Sequence, residues 1–145
     1  MCRRPVLPPW VSDNAAMPPI TELTRIEPVL LARLEAQGTF TTGLLLERSE
    51  TPTRRQYLAD QLDATTNDVL DWRDEALMLN LASFGPDDHQ LMIQAGIEGL
   101  RDILSQSLDE FRERIHRAAI ELNWTPPDDL TLAGWWEQAR TLEEE

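Results

Sequence analysis

An all-helical fold is predicted from three features of this chain. Two stretches match each other fifty-eight residues apart: Leu23/Leu81, Pro28/Pro86, Gly38/Gly96 and Leu46/Leu104 are identical, and Ile26/Phe84, Leu34/Met92 and Leu45/Ile103 are apolar in both. Helix start and stop signals punctuate nearly everything after Ile20. No convincing strand pattern appears, since the one β-branched cluster, Thr39–Thr42, is short and flanked by glycines. An internal repeat sets architecture ahead of any local signal. The expectation is two pseudo-repeats, about residues 23-46 and 81-104, packed into one compact helical domain.

Residues 1–19 carry Pro5, Pro8, Pro9, Pro18 and Pro19 with little periodicity, which predicts a disordered or loosely attached tail. The apolar stretch behind Arg3 and Arg4 is short and broken by proline, unlike a signal peptide. Met17 precedes the first ordered-looking residues and is the expected natural start, to be tested by intact mass. The helical domain is expected over 20–142. Pro28 opens a helix to about Gln37, stopped by Gly38, with Leu30, Leu31 and Leu34 inward. A short helix follows over Gly43–Arg48. Thr51-Pro52 caps and opens a helix to about Leu62. Thr65 and Asp68 have capping-box spacing and open a helix to about Asn80, with Val69, Trp72, Ala76 and Leu79 on one face.

The second repeat opens at Leu81. Pro86 starts a helix to Ala95, stopped by Gly96, and a short helix covers about Gly99–Gln106. Ser107 and Glu110 form a capping box for a helix that buries Phe111, Ile115, Ala118 and Leu122 and ends before Pro126-Pro127. A last helix runs from about Thr131 to Leu142, followed by an exposed acidic end, Glu143–Glu145.

Each repeat reads as a helix, a tight turn (Arg25-Ile26-Glu27-Pro28 or Ser83-Phe84-Gly85-Pro86), a second helix and a glycine. This resembles a helix-hairpin-helix unit. From about residue 20 to 142 the chain resembles the domain-of-unknown-function family 4332, which carries tandem units of this kind. Further support lies in Thr51-Pro-Thr-Arg-Arg55 with Leu58-Ala59, in Val69-Leu-Asp-Trp72 with Ala76 and Met78, and in Trp135-Trp-Glu-Gln-Ala-Arg140. The resemblance implies no settled activity. In nucleic-acid-binding hairpins, turn glycines bring backbone N–H groups to a phosphate at a helix N-terminus. Here Arg25, Glu27 and Ser83 replace glycines, Gly85 is kept, and Asp87-Asp88 follows Pro86. Glu27, Asp87 and Asp88 would repel phosphate, so the turns are expected to serve packing.

The chain carries 26 acidic residues against 13 basic ones, a net charge of -13, and every basic residue is Arg. That balance opposes broad attachment to nucleic acid or an anionic membrane and favours a partner with a basic surface. Cys2 is the single cysteine, so neither an intrachain disulfide nor a Cys-based metal site is expected. No apolar run reaches the roughly 20 residues that cross a bilayer, and a cytoplasmic protein is expected. Arg54 and Arg55 oppose the dipole of the helix they open, which marks them for an anion contact or an ion pair with Glu47, Glu50 or Asp74. Arg114 and Arg117 follow Glu110 and Glu113 by four residues, a self-neutralised face beside Arg112.

Trp72 and Trp124 are expected to be structural. Trp135 and Trp136 point about 100° apart on a helix, so one can be buried while the other anchors a partner. His89 and His116 are isolated, Asp87-Asp88-His89 cannot converge on one ion, and His-x-x-x-His and Cys-x-x-Cys are absent. No phosphate loop or catalytic arrangement is readable, and no cofactor or metal is expected. The predicted function is a non-catalytic adaptor or scaffold that binds another protein through Trp135, Trp136, Arg54 and Arg55. The alternatives are a nucleic-acid-binding helix-hairpin-helix protein and an enzyme or enzyme subunit.

Overall fold

A computed structural model describes residues 18–143. Eight α-helices follow a 3-10 turn at Ile20–Glu22: α1 Pro28–Ala36, α2 Thr42–Arg48, α3 Pro52–Leu62, α4 Thr66–Leu79, α5 Pro86–Gln94, α6 Leu100–Leu104, α7 Leu108–Leu122 and α8 Asp129–Glu143. Among the described residues there is no strand, only an isolated bridge between Pro19 and Thr41. The fold is all-α. The expected start at Met17 and most of the Pro-rich segment lie outside the described residues. Its last two residues bond to the helical domain: the Pro18 carbonyl accepts from the Thr42 N–H at 2.9 Å, and the Pro19 carbonyl from the Glu22 N–H at 3.0 Å.

The helices start where their caps require. Thr51 accepts from the Arg54 N–H, Thr65 and Asp68 close a reciprocal capping box, and so do Ser107 and Glu110. α1 and α5 stop in the same way. Gly38 and Gly96 take positive φ, 84° and 76°. The next N–H, of Thr39 or Ile97, reaches back to the Leu34 or Met92 carbonyl. Only glycine enters that left-handed region without a Cβ penalty. α3 and α7 end instead on Asp63 and Asn123 with φ of 56° and 59°. α6 is shorter than expected and α8 starts at Asp129, two residues early, where the Asp128 carboxylate accepts from the Thr131 N–H.

α2 and α3 pack on α4, α6 and α7 pack on α8, and α4 meets α6. One continuous core results, with Trp72, Phe111 and Trp135 as its largest side chains and Leu34, Leu45, Leu62, Met92 and Ile103 fully enclosed. Two arginines finish helices from a distance. Arg33 donates to the Leu62 carbonyl at 2.6 Å, and Arg114 to the Ala95 carbonyl at 2.7 Å. Arg114 therefore does not pair with Glu110 as expected, because Glu110 is committed to the α7 capping box; Arg117 does pair with Glu113 at 3.1 Å.

Candidate functional site

The turn before α1 is held from α4, and the turn before α5 from α8. In the first turn the Glu75 carboxylate, on α4, accepts from the Thr24 N–H at 2.8 Å, the Arg25 N–H at 3.1 Å and the Thr24 hydroxyl. His89, on α5, donates toward Glu75 through Nε2 at 3.3 Å and faces Glu22 through Nδ1 at 3.4 Å. Both Glu75 and His89 are buried. Burial alone would raise the Glu75 pKa, but hydrogen bonds from His89, Thr24 and Arg25 more than offset it, and the net shift is downward. Burial would lower the His89 pKa, yet Glu75 and Glu22 hold it above its usual value. These groups form a sealed charged tie rather than an accessible acid-base pair.

Beside it, Arg25 reaches Asp74 at 2.9 Å and Asp71 at 3.1 Å. The other Asp74 oxygen accepts from the Arg101 N–H at 3.0 Å, in the first turn of α6. Gly99 lies against this group so closely that a Cβ there would stand 2.2 Å from Asp74 Oδ2. Asp74, expected as a candidate partner of Arg54 or Arg55, pairs with Arg25 instead, and Glu75 and the role of Gly99 escaped sequence reasoning. A usable signal was Glu75 three residues after Trp72 and four before Leu79, inside the apolar stripe, where a carboxylate requires a partner.

The second turn is built differently. Ala82 donates to the Gln138 side chain at 3.0 Å, and Gly85 to Asp88 at 2.8 Å. Trp135, expected among the partner anchors, is only 2% exposed; it lies edge-on to Phe84 and donates to the Ala82 carbonyl at 2.9 Å. Its burial follows from its place on the α8 stripe with Leu132 and Ala139. Trp136 is half-buried, donates to the Gln106 carbonyl at 3.2 Å and lies under Arg140. Trp124, expected to be structural, is 41% exposed. It lines an open cleft of about 540 Å³ with Ser83, Asp87, Asp88, Leu91 and Trp135. Among the described residues no arginine lines that cleft. Burial, with Asp87 adding repulsion, holds the Asp88 pKa above its usual value despite the bond from Gly85.

Arg54 and Arg55 diverge. Arg54 is exposed and meets the Glu50 carboxylate at 3.3 Å and the Glu47 carbonyl at 3.0 Å. Arg55 turns inward to the Ser49 carbonyl at 2.9 Å. In the turns, Ile26 and Phe84 are buried, Ser83 takes a φ of 63°, and Glu27 and Asp87 are exposed. Glu113 and His116, three residues apart on α7, face different partners, Arg117 and Asp129. Among the described residues no three His, Cys, Asp or Glu side chains are placed to hold a metal, and no helix is long and apolar enough to cross a membrane.

A compact all-α domain with its charged residues drawn into turn ties defines the class of protein. The chain belongs to the family described as domain of unknown function (DUF4332), whose profile matches residues 24–142. No curated protein and no solved structure matches it.

Proposed function

We propose that this protein is a non-catalytic helical adaptor that binds a basic segment of another protein, in the cytoplasm, through the cleft beside its second turn. The observation that carries this reading is the exposed indole of Trp124 next to Asp87 and Asp88 in a cleft that, among the described residues, no arginine lines. An indole face and paired carboxylates suit a guanidinium or ammonium group, which would also relieve the repulsion between the two acids. The net charge of -13 adds long-range attraction for such a partner. A nucleic-acid role has less support, because the Thr24 and Arg25 N–H groups already serve an internal carboxylate, Glu75, and the exposed Glu27 and Asp87 would repel a phosphate. The finer architecture, two copies of one four-helix unit, is supported by α1/α5 and by the Thr24-to-Glu75 and Ala82-to-Gln138 bonds, whose donors lie fifty-eight residues apart.

Affinity purification from the native cell, run in parallel with Trp124→Ala and with Asp87→Asn plus Asp88→Asn, tests the reading. One basic protein is expected with the wild type and is lost with both variants, while Trp136→Ala retains it. Undiminished recovery with both cleft variants overturns the site. Fluorescence anisotropy with duplex DNA at low salt is expected to show no shift; a salt-sensitive shift would instead favour nucleic-acid binding.

A further inference from the structure

A second cleft, of about 720 Å³, lies between α3, α4, α6 and the end of α8 and carries the opposite charge. Arg55, Arg73 and Arg101 line it, together with Glu50 and Asp74. Its two acids are engaged elsewhere: Glu50 with Arg54 at 3.3 Å, and Asp74 with Arg25 at 2.9 Å. Among the described residues its three arginines form no ion pair. Arg55 and Arg73 converge on one residue. Arg55 Nη1 donates to the Ser49 carbonyl at 2.9 Å, and Arg73 Nη1 to the Ser49 hydroxyl at 3.1 Å and the Leu46 carbonyl at 2.9 Å. Burial, and next the charge of Arg55, hold the Arg73 pKa below the usual guanidinium value, with Glu50 offsetting part of the shift. Three arginines thus outnumber the two acids of the cleft, in a chain that has twice as many acids as bases.

We infer that this cleft is a binding site for a small organic phosphate monoester, its dianionic head held by Arg55, Arg73 and Arg101 and its apolar body lying over Leu70, Leu77 and Leu104. Guanidinium groups present paired N–H donors that match phosphate oxygens two at a time. The leucines supply the apolar floor, and the volume falls in the range of small-molecule sites, about 300–1,000 Å³. The site is separate from the Trp124 cleft and does not depend on the adaptor reading.

Isothermal titration calorimetry at low ionic strength, using phenyl phosphate, inorganic phosphate and benzoate as probes, tests it. Saturable binding of phenyl phosphate is expected, with inorganic phosphate weaker for want of an apolar body and benzoate weaker for its single charge. Arg101→Gln, at an exposed position, and Arg55→Gln each weaken phenyl phosphate about tenfold, the loss of one charged hydrogen-bonding group. Arg117→Gln, on the far solvated face of α7, leaves it unchanged. Absence of saturable heat with phenyl phosphate overturns the inference. So does benzoate binding as tightly, or an Arg117→Gln effect as large as that of Arg101→Gln.

Discussion

In the first turn, Thr24 and Arg25 give their N–H groups to a buried carboxylate. In the second, Ala82 gives its N–H to the neutral amide of Gln138. The task is the same: backbone groups leaving regular structure must find partners. The chosen chemistry has different consequences. A neutral amide needs no counter-charge and leaves the Trp124 cleft open beside it. A carboxylate enclosed by apolar neighbours requires a counter-charge, and His89 supplies it from α5. The first turn is thereby fastened to α5, and its Thr24 and Arg25 N–H groups are already engaged. A charged tie couples distant elements; a neutral one leaves its surroundings available for binding.

The sharpest way to break this comparison is Glu75→Ala. It strips partners from two backbone N–H groups and the Thr24 hydroxyl and leaves His89 facing Glu22 alone. Removing one member of a buried charged pair costs about 3–5 kcal/mol, and urea denaturation is expected to show a loss of that size. A loss below about 1 kcal/mol would mean that water reaches the turn and the tie is not sealed.

Gly99→Ala comes next. The added methyl group must displace Asp74, whose carboxylate is fixed by Arg25 and by the Arg101 N–H. Overpacking of this kind costs about 1–3 kcal/mol, and the urea midpoint is expected to fall accordingly. The backbone at Gly99 is extended, with φ of -175°, so close approach alone makes glycine necessary there.

pH sharpens the contrast, because the first turn is held by a buried pair of opposite charge, Glu75 and His89, whereas the second has one titrating partner, Asp88 at Gly85, and no counter-charge to it. His89 has a raised pKa, so its contribution is complete below its ordinary 6.5 and is lost as pH rises through the raised value. Glu75 has a lowered pKa, so its contribution is complete above its ordinary 4.5 and is lost as pH falls through the lowered value. Both are in place between these limits. Urea midpoints of the wild type are expected to be highest there and to fall on the alkaline side, and His89→Gln flattens that alkaline fall. An unchanged alkaline limb in His89→Gln would remove His89 from the tie.

The helices were legible because their signals are local. Thr51, Thr65 and Ser107 cap within three residues, Gly38 and Gly96 stop their helices with positive φ, and Trp72, Ala76 and Leu79 recur at helical spacing. The site was less legible because its partners come from far along the chain. Thr24 and Glu75 are fifty-one residues apart, and Arg25 and Asp74 forty-nine. In an acid-rich sequence, Asp74 and Glu75 look like any solvated carboxylates until the fold encloses them. Trp124 was misjudged for a related reason. It follows the αL residue Asn123, which ends α7, and stands outside any helical stripe, so periodicity could not place it.

The smallest effect is expected at Gln138. Gln138→Ala removes one neutral hydrogen bond to the exposed Ala82 backbone, while Trp135 still grips the Ala82 carbonyl and Asp88 still accepts from Gly85. Water can replace the lost amide, so the cost is about 0.5–1.5 kcal/mol in urea denaturation. The pH profile should keep the wild-type shape, since the change touches no titrating group of the first turn. A loss as large as that of Glu75→Ala would show that the second turn is as tightly sealed as the first. The Trp124 cleft would then be part of a closed structure rather than an open surface beside a loosely held turn.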